Sequence, residues 1–223
     1  MKFPVLLPNI FNHPFTYESD LNLKVGDYVI VSFGKSKITG VVWDDFEKKN
    51  NRTFKIKNVL KKLDVSPLKK TTIKFLNWFS EYNIIPKGLA LKLVLLSSNA
   101  IEKLPKDTYQ NFESEIKNNS IKLSEEQKKS LKKMNILNQK FRVHVLQGTT
   151  GSGKTMVYFE ALKEVINKGT QGLILLPEIG LTGQFEKKFL EFFGFTPAVW
   201  HSGISKKKKE IIWSGIANGE IKV

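Results

Sequence analysis

Apolar and polar positions alternate along Val25-Gly-Asp-Tyr-Val-Ile-Val-Ser-Phe33, which follows a Gly-Asp turn, and again along Ile38-Thr-Gly-Val-Val-Trp43. That period of two predicts a pair of strands, with Gly34-Lys-Ser-Lys37 as the hairpin connection. Phe54 to Leu63 carries a weaker alternation, so residues 1 to about 65 read as a small β-rich unit. The period then lengthens. Ser66-Pro67 is an N-cap with proline at the first helical position, and Leu68, Thr72, Phe75, Leu76 and Phe79 share one face of a helix over 67–82. Its aromatic stripe is expected to be core. Pro86-Lys-Gly88 turns the chain into an apolar stretch from Leu89 to Leu96, and the polar residues that follow, to Lys122, read as a linker holding one short helix over 106–117.

Beyond the linker the pattern changes to alternating strands and helices. Phe141-Arg-Val-His-Val-Leu146 alternates as a strand, Val157, Ala161, Leu162, Val165 and Ile166 recur at helical spacing, and Gly169 stands where a C-cap belongs. Gly172-Leu-Ile-Leu-Leu176 is wholly apolar, as a buried parallel strand is. Phe185, Phe189, Phe192 and Phe193 line a further helix, and Pro197-Ala-Val-Trp200 reads as a third strand. The expected fold is α/β with a parallel sheet, preceded by the β-rich unit, and the expected domains are 1–97, a 98–122 linker and 123–223.

Composition narrows the class. With 223 residues, 41% apolar and 26% charged, the chain can bury one or two ordinary globular cores. No apolar run reaches the roughly eighteen residues of a membrane span, and the apolar stretch after Met1 is too short for a signal peptide. There is no cysteine, and His13, His144 and His201 have no ligand spacing, so no disulfide or metal cluster is expected. A cytoplasmic protein fits all of this. The net charge of +15 favours a polyanionic partner, although only Arg52 and Arg142 are arginines and part of the lysine excess reads as compositional bias.

The chemistry concentrates in Gly148-Thr-Thr-Gly-Ser-Gly-Lys-Thr155, which fits G-x-x-x-x-G-K-[ST] between a predicted strand and a predicted helix. Glycines at 148, 151 and 153 let backbone N–H groups of Thr149, Thr150 and Ser152 turn inward as a cradle for phosphate, and the helix start adds its positive dipole end. Lys154 then reaches the β- and γ-phosphates, and the Thr155 hydroxyl completes the shell of Mg²⁺. ATP and Mg²⁺ are the expected cofactors. The plain alternative is a glycine-rich turn in a generic α/β domain. Ser124 with Gln127 three residues on matches a capping box, so the residues alone assign Gln127 to capping. For the β-rich unit two readings stay even: a small barrel without ligand, or a basic, aromatic-bearing surface for single-stranded nucleic acid.

Taken together, Gln127, the 148–155 loop, Leu176-Pro-Glu-Ile-Gly-Leu-Thr-Gly-Gln184 and His201-Ser-Gly203 resemble the primosomal protein N′ (PriA) family of superfamily 2 replication-restart helicases. Phe15-Thr-Tyr17, Val25-Gly26, Phe33-Gly-Lys35, Lys57 and Trp78…Tyr82…Pro86-Lys-Gly88 extend the resemblance over the N-terminal DNA-binding domain. The resemblance implies a RecA-like helicase lobe and a 3′-to-5′ DNA helicase driven by ATP and Mg²⁺, associated with the nucleoid. It implies that Gln127 contacts adenine and that Glu178 to Gln184 touch the DNA backbone, with Thr182 as donor. It maps a pocket for a DNA 3′ end onto Thr16, Tyr17, Gly34, Lys35 and Lys57. Other primosome proteins and single-stranded-DNA-binding protein are the partners it suggests.

Departures from the family pattern qualify this. Thr16 stands where the family has Asp, which removes a carboxylate acceptor from the pocket, and Gly183 stands where proline is usual. The linker is too short for the family's winged-helix domain. Nothing after Lys154 reads Asp-Glu-x-His, the acidic element that would hold Mg²⁺ and orient water. Glu220-Ile-Lys-Val223 reads as a strand cut short. The sequence is therefore expected to be the N-terminal portion of a longer helicase, binding nucleotide poorly and hydrolysing little by itself, with zinc only in the family's C-terminal region.

Overall fold

In a computed structural model the described residues are 1–45, 56–95, 101, 122–136, 141–177 and 182–223. Two compact units emerge: Met1–Lys106 with Lys206–Asn218, and Asp107–Ser205 with Gly219–Val223.

In the first unit, β1 (Lys2–Leu6), β2 (Phe15–Glu18), β3 (Tyr28–Phe33), β4 (Ser36–Val42) and β5 (Lys57–Lys62) close into a barrel in the order β1-β2-β5-β3-β4. All neighbours run antiparallel except β2 and β5. The alternation in the sequence sorts side chains between two cores. Val5, Leu7, Tyr17, Val29, Val31, Val42 and Val59 fill the barrel, whereas Leu6, Tyr28, Val41, Trp43 and Leu63 point outward into a second core. That second core is closed by α1 (Lys70–Tyr82) and α2 (Lys87–Val94) through Ile73, Leu76, Ala90 and Leu91. Successive side chains on a strand point to opposite faces, so one strand feeds both cores.

Specific polar contacts tie the layers. The Trp43 indole N–H donates to Asn77 Oδ1 of α1 at 3.2 Å. Asp27, 2% exposed, accepts from the Lys24 N–H and from Lys62 Nζ, both at 2.7 Å, clasping the turn before β3 to β5. Gly34 takes φ +59 in the two-residue β3–β4 turn, a conformation that favours glycine. Near the end of the chain, α6 (Lys206–Ala217) belongs to this unit and rests Trp213 on the outer core.

The face expected as core on the first helix is borne out in part: Leu76 is buried and Leu68 and Phe79 pack on the outer core, but Phe75 is half exposed. Ile73, Leu76 and Ser80 face the barrel, while Phe75, Trp78 and Tyr82 form an exposed ladder with centroid spacings of 5.8 and 5.2 Å. Aliphatic Ile73 and Leu76 take the contact with the barrel, and the rings of Phe75, Trp78 and Tyr82 are turned to solvent. The linker helix expected over 106–117 lies outside the described residues.

In the second unit, α3 (Glu125–Met134), α4 (Lys154–Asn167) and α5 (Thr182–Phe193) are present. Phe159, Leu162 and Ile166 of α4 pack on Phe189, Phe192 and Phe193 of α5, with Phe159 edge-on to Phe189 at 5.6 Å. The strands expected at 141–146, 172–176 and 197–200 are corrected too: among the described residues of this unit none is assigned, and the parallel sheet of a RecA-like lobe is not seen. Single long-range bonds hold two of them to the end of the chain, Gly172 N–H to Lys222 O at 2.7 Å and Ala198 N–H to Val223 O at 2.9 Å. A parallel ladder needs neighbours in register and cover on both faces. Here α4 and α5 use their rings on each other, and Phe141 and Val145 stay 92% and 89% exposed.

Candidate functional site

The phosphate-loop motif forms an exposed turn leading into α4. Gly151 at φ +83 and Gly153 at φ +77 occupy left-handed backbone, and a Cβ at Gly151 would meet open space, so the loop is strained for other residues but not filled. Gly148 serves differently: a Cβ there would lie 2.7 Å from Ser152 Oγ. Lys154 Nζ folds back onto the carbonyls of Gly148 and Thr149, each at 2.7 Å. The Thr155 hydroxyl accepts from Tyr158 OH at 3.3 Å, a partner that sequence reasoning missed although it stands at helical spacing. Thr150, Gly151, Gly153, Lys154 and Thr155 line a cavity of about 640 Å³, with Lys188 and Glu191 of α5 on its wall. That volume suits a nucleotide.

Gln127 caps α3 as its spacing predicts, and it makes a second contact that the spacing did not announce. Its Oε1 accepts from the Ser124 N–H at 2.8 Å while Ser124 Oγ accepts from the Gln127 N–H at 3.3 Å, a complete capping box. Its Nε2 also donates to the carbonyls of Ser152 and Gly153 at 3.4 Å. The same side chain that starts α3 therefore braces the phosphate loop. His201 and Gly203 do not line the loop's cavity: Gly203 N–H donates to His201 Nδ1 at 3.1 Å, beside the 172–176 segment. Glu178 lies outside the described residues, and Thr182 is described only as the first residue of α5.

The residues fit phosphate better than they fit a metal ion. Gly151 keeps its Cβ space empty, an ammonium stands at the loop, and the cavity is open. For Mg²⁺, the Thr155 hydroxyl is the oxygen at the loop, and no cluster of three His, Cys, Asp or Glu able to hold a metal occurs among the described residues.

Of the five residues mapped to a DNA-end pocket, Tyr17, Gly34, Lys35 and Lys57 come to one end of the barrel, while Thr16 lies on the opposite face of β2 from Tyr17. Tyr17 of β2 is opposite Lys57 of β5, and Lys57 Nζ donates to the Gly34 carbonyl at 3.3 Å across to the β3–β4 turn that also carries Lys35. Tyr17 is buried in the barrel core and its hydroxyl donates to Ser32 O at 3.1 Å, so its ring forms a floor. Burial also raises its pKa above the ordinary tyrosine value. Thr16, on the outward face of β2, is half-buried opposite Pro4. Above Gly34 a Cβ would meet nothing, leaving bare backbone beside two lysines.

Comparison with known proteins bears directly on this end of the barrel. The model of the PriA family's 3′DNA-binding domain (3′BD) matches residues 4–96, and that of the type III restriction enzyme res subunit matches residues 120–222. Replication restart protein PriA of Rickettsia prowazekii (strain Madrid E) is 36% identical over 98% of this chain. The chain belongs to the PriA family. PriA of Rickettsia felis (strain URRWXCal2) is 37% identical over the same share, and PriA of Bacillus subtilis (strain 168) is 32% identical over 63% of it. The chain spans about a third of the length of the Rickettsia PriA relatives, 33% in each case. No helix among the described residues is long and apolar enough to cross a membrane.

Proposed function

We propose that this chain is the DNA-end-binding and nucleotide-binding portion of a replication-restart helicase, acting in the cytoplasm at the nucleoid. Residues 1–97 hold a DNA 3′ end, 98–122 link, and 123–223 supply the first motor lobe. The observation that carries the reading is the meeting of Tyr17, Gly34, Lys35 and Lys57 at one barrel end, in a chain that also presents Lys154 and Thr155 on a glycine loop.

In this reading Gly34 lets the backbone approach the terminal nucleotide, Lys35 and Lys57 neutralise phosphate, and Tyr17 closes the floor. Thr16 offers a hydroxyl where relatives with a carboxylate would accept a hydrogen bond. In the motor lobe, bound ATP with Mg²⁺ supplies the free energy for translocation. The amides of the loop with Lys154 bind the phosphates, Thr155 supplies an oxygen for the metal, and Gln127 positions the loop from behind and reads adenine. Glu178 and Thr182 touch the DNA backbone. Translocation runs 3′ to 5′, with primosome proteins and single-stranded-DNA-binding protein as partners and zinc bound in the relatives' further length.

A second reading, a superfamily 2 translocase of restriction or repair, draws on the res-subunit match. It offers no role for the barrel end. The test is binding of the 223-residue chain to single-stranded DNA carrying a free or a phosphate-blocked 3′ end, at several salt concentrations. Tighter, salt-sensitive binding of the free end is expected; equal affinity for both ends sinks the pocket.

A further inference from the structure

Beside the barrel end lies a group of rings, one of which, Phe11, has no task in the pocket or the core. Phe15 and Phe33, the residues immediately before Thr16 and Gly34, meet at 5.1 Å. Phe11 rests edge-on against both, at 5.2 Å from Phe15 and 6.0 Å from Phe33, and His13 tilts onto Phe15 at 4.9 Å. Phe15 and Phe33 already cover the barrel interior from this side, packed against Val31 and its neighbours. Phe11 adds nothing to that seal and keeps 38% of its surface in solvent.

Its position is held. The Phe11 N–H donates to Asn9 Oδ1 at 3.0 Å and its carbonyl accepts from the Gly88 N–H at 3.0 Å, while Asn12 Oδ1 caps the Lys87 N–H. An exposed ring fixed at both backbone ends is a preformed surface, costing little entropy when something lies on it. The charge around it is of one sign on the turn side: Gly34-Lys-Ser-Lys37 carries two exposed lysines and no acid, and Lys57 lies across from them. Aromatic rings beside lysines on a nucleic-acid-binding domain suit a stacked base, because every base has a face for the ring and a phosphate for the cation.

We propose that Phe11 is the platform on which the base next to the DNA 3′ terminus stacks, one ring beyond the pocket that takes the terminal nucleotide. Phe15 and Phe33 orient that ring, and His13 buttresses it. The inference rests on the 3′-end reading above, and it adds a base-stacking subsite that extends recognition from one nucleotide to two.

The test uses the 223-residue chain and fluorescein-labelled single-stranded oligonucleotides with a free 3′ end, read by anisotropy. Three ligands are compared: the parent, one abasic at the penultimate position, and one with a 3′-phosphate. The abasic lesion is expected to weaken the parent protein about 5- to 50-fold. Phe11→Ala should lose a similar factor on the intact oligonucleotide and become indifferent to the lesion, whereas Phe11→Trp should keep its sensitivity. Circular dichroism of both variants confirms that the barrel persists. If Phe11→Ala still discriminates against the abasic oligonucleotide, the platform is refuted while discrimination against the 3′-phosphate leaves the pocket standing. If the unmodified protein ignores the 3′-phosphate, the pocket falls and takes this proposal with it.

Discussion

Gly26→Ala separates two ways in which a glycine can be required. Gly26 sits at φ +96, and a Cβ built on it would run into the Leu68 carbonyl, with the Leu68 nitrogen 3.2 Å away. The same turn supplies two backbone bonds: Gly26 N–H to Val42 O at 2.8 Å and Leu68 N–H to Gly26 O at 2.9 Å. An alanine there holds an unfavoured dihedral, at about 1–3 kcal/mol. It also pushes the 66–69 segment away, losing the Leu68 bond at about 1 kcal/mol. Together that is about 2–4 kcal/mol, or roughly 10 to 20 °C in Tm for a unit of this size. The assay is urea denaturation followed by tryptophan fluorescence, with hydrogen exchange of the peptides around Trp43, which is buried where the turn, barrel and α1 meet. Gly34→Ala is the internal control, since its Cβ would touch nothing and only the φ of +59 is unfavourable. A loss of about 1 kcal/mol is expected there. Equal losses for the two variants would refute the steric half of the argument, and a loss below about 0.5 kcal/mol at Gly26 would refute all of it.

Other expectations follow from the same contacts. In a protein of the relatives' full length, Lys154→Ala should abolish DNA-stimulated ATP hydrolysis while leaving DNA affinity within about twofold; retained turnover contradicts the assigned role. Gln127→Ala should cost α3 the Oε1 half of its capping box, about 1 kcal/mol or less, and should also raise hydrogen exchange in the 148–155 loop; exchange confined to α3 would mean the loop contacts are idle. Burial raises the pKa of Tyr17 and of Tyr28, so the folded unit favours their neutral forms. Their contribution is fully present below the unfolded value of about 10 and is lost as pH rises through the folded values. Urea midpoints measured upward from pH 9 should fall, and less so in Tyr17→Phe.

The barrel was legible in the sequence because hairpin grammar is local. Two alternating runs around Gly34 mark the β3–β4 hairpin without reference to the rest of the chain, although the connection is the two residues Gly34-Lys35 and not the expected four, so that Phe33 pairs with Ser36. The orientation of α1 was not legible. Its apolar residues cover more than one face, and which face turns inward depends on Trp43 and Asn77, partners that sequence spacing alone does not bring together. The parallel sheet failed for a related reason. A run such as Leu173 to Leu176 states that it can be buried, not what buries it, and parallel pairing is non-local. For the site, the glycines and Lys154 were legible because phosphate chemistry fixes their spacing. Tyr158 and Lys188 were not, since a tyrosine or lysine on a helix carries no comparable signature.

The state of Lys154 ties these observations to a mechanism of selectivity. In the structure its ammonium is satisfied by two carbonyl oxygens of its own loop, at 2.7 Å each. A ligand gains Lys154 only if it offers more than those carbonyls do, and hydrogen bonds to a charged acceptor are roughly twice as strong as bonds to a neutral one. A phosphate oxyanion meets that condition and a neutral hydroxyl does not. The loop is thus biased toward multiply charged phosphates before any part of a sugar or base is considered. Gln127 bears on the same loop from the other side, because its Nε2 donates to Ser152 O and Gly153 O and so braces the turn that carries Lys154. Removing Gln127 should therefore weaken inorganic triphosphate as well as ATP. An effect on ATP alone would place Gln127 at the base and not at the loop.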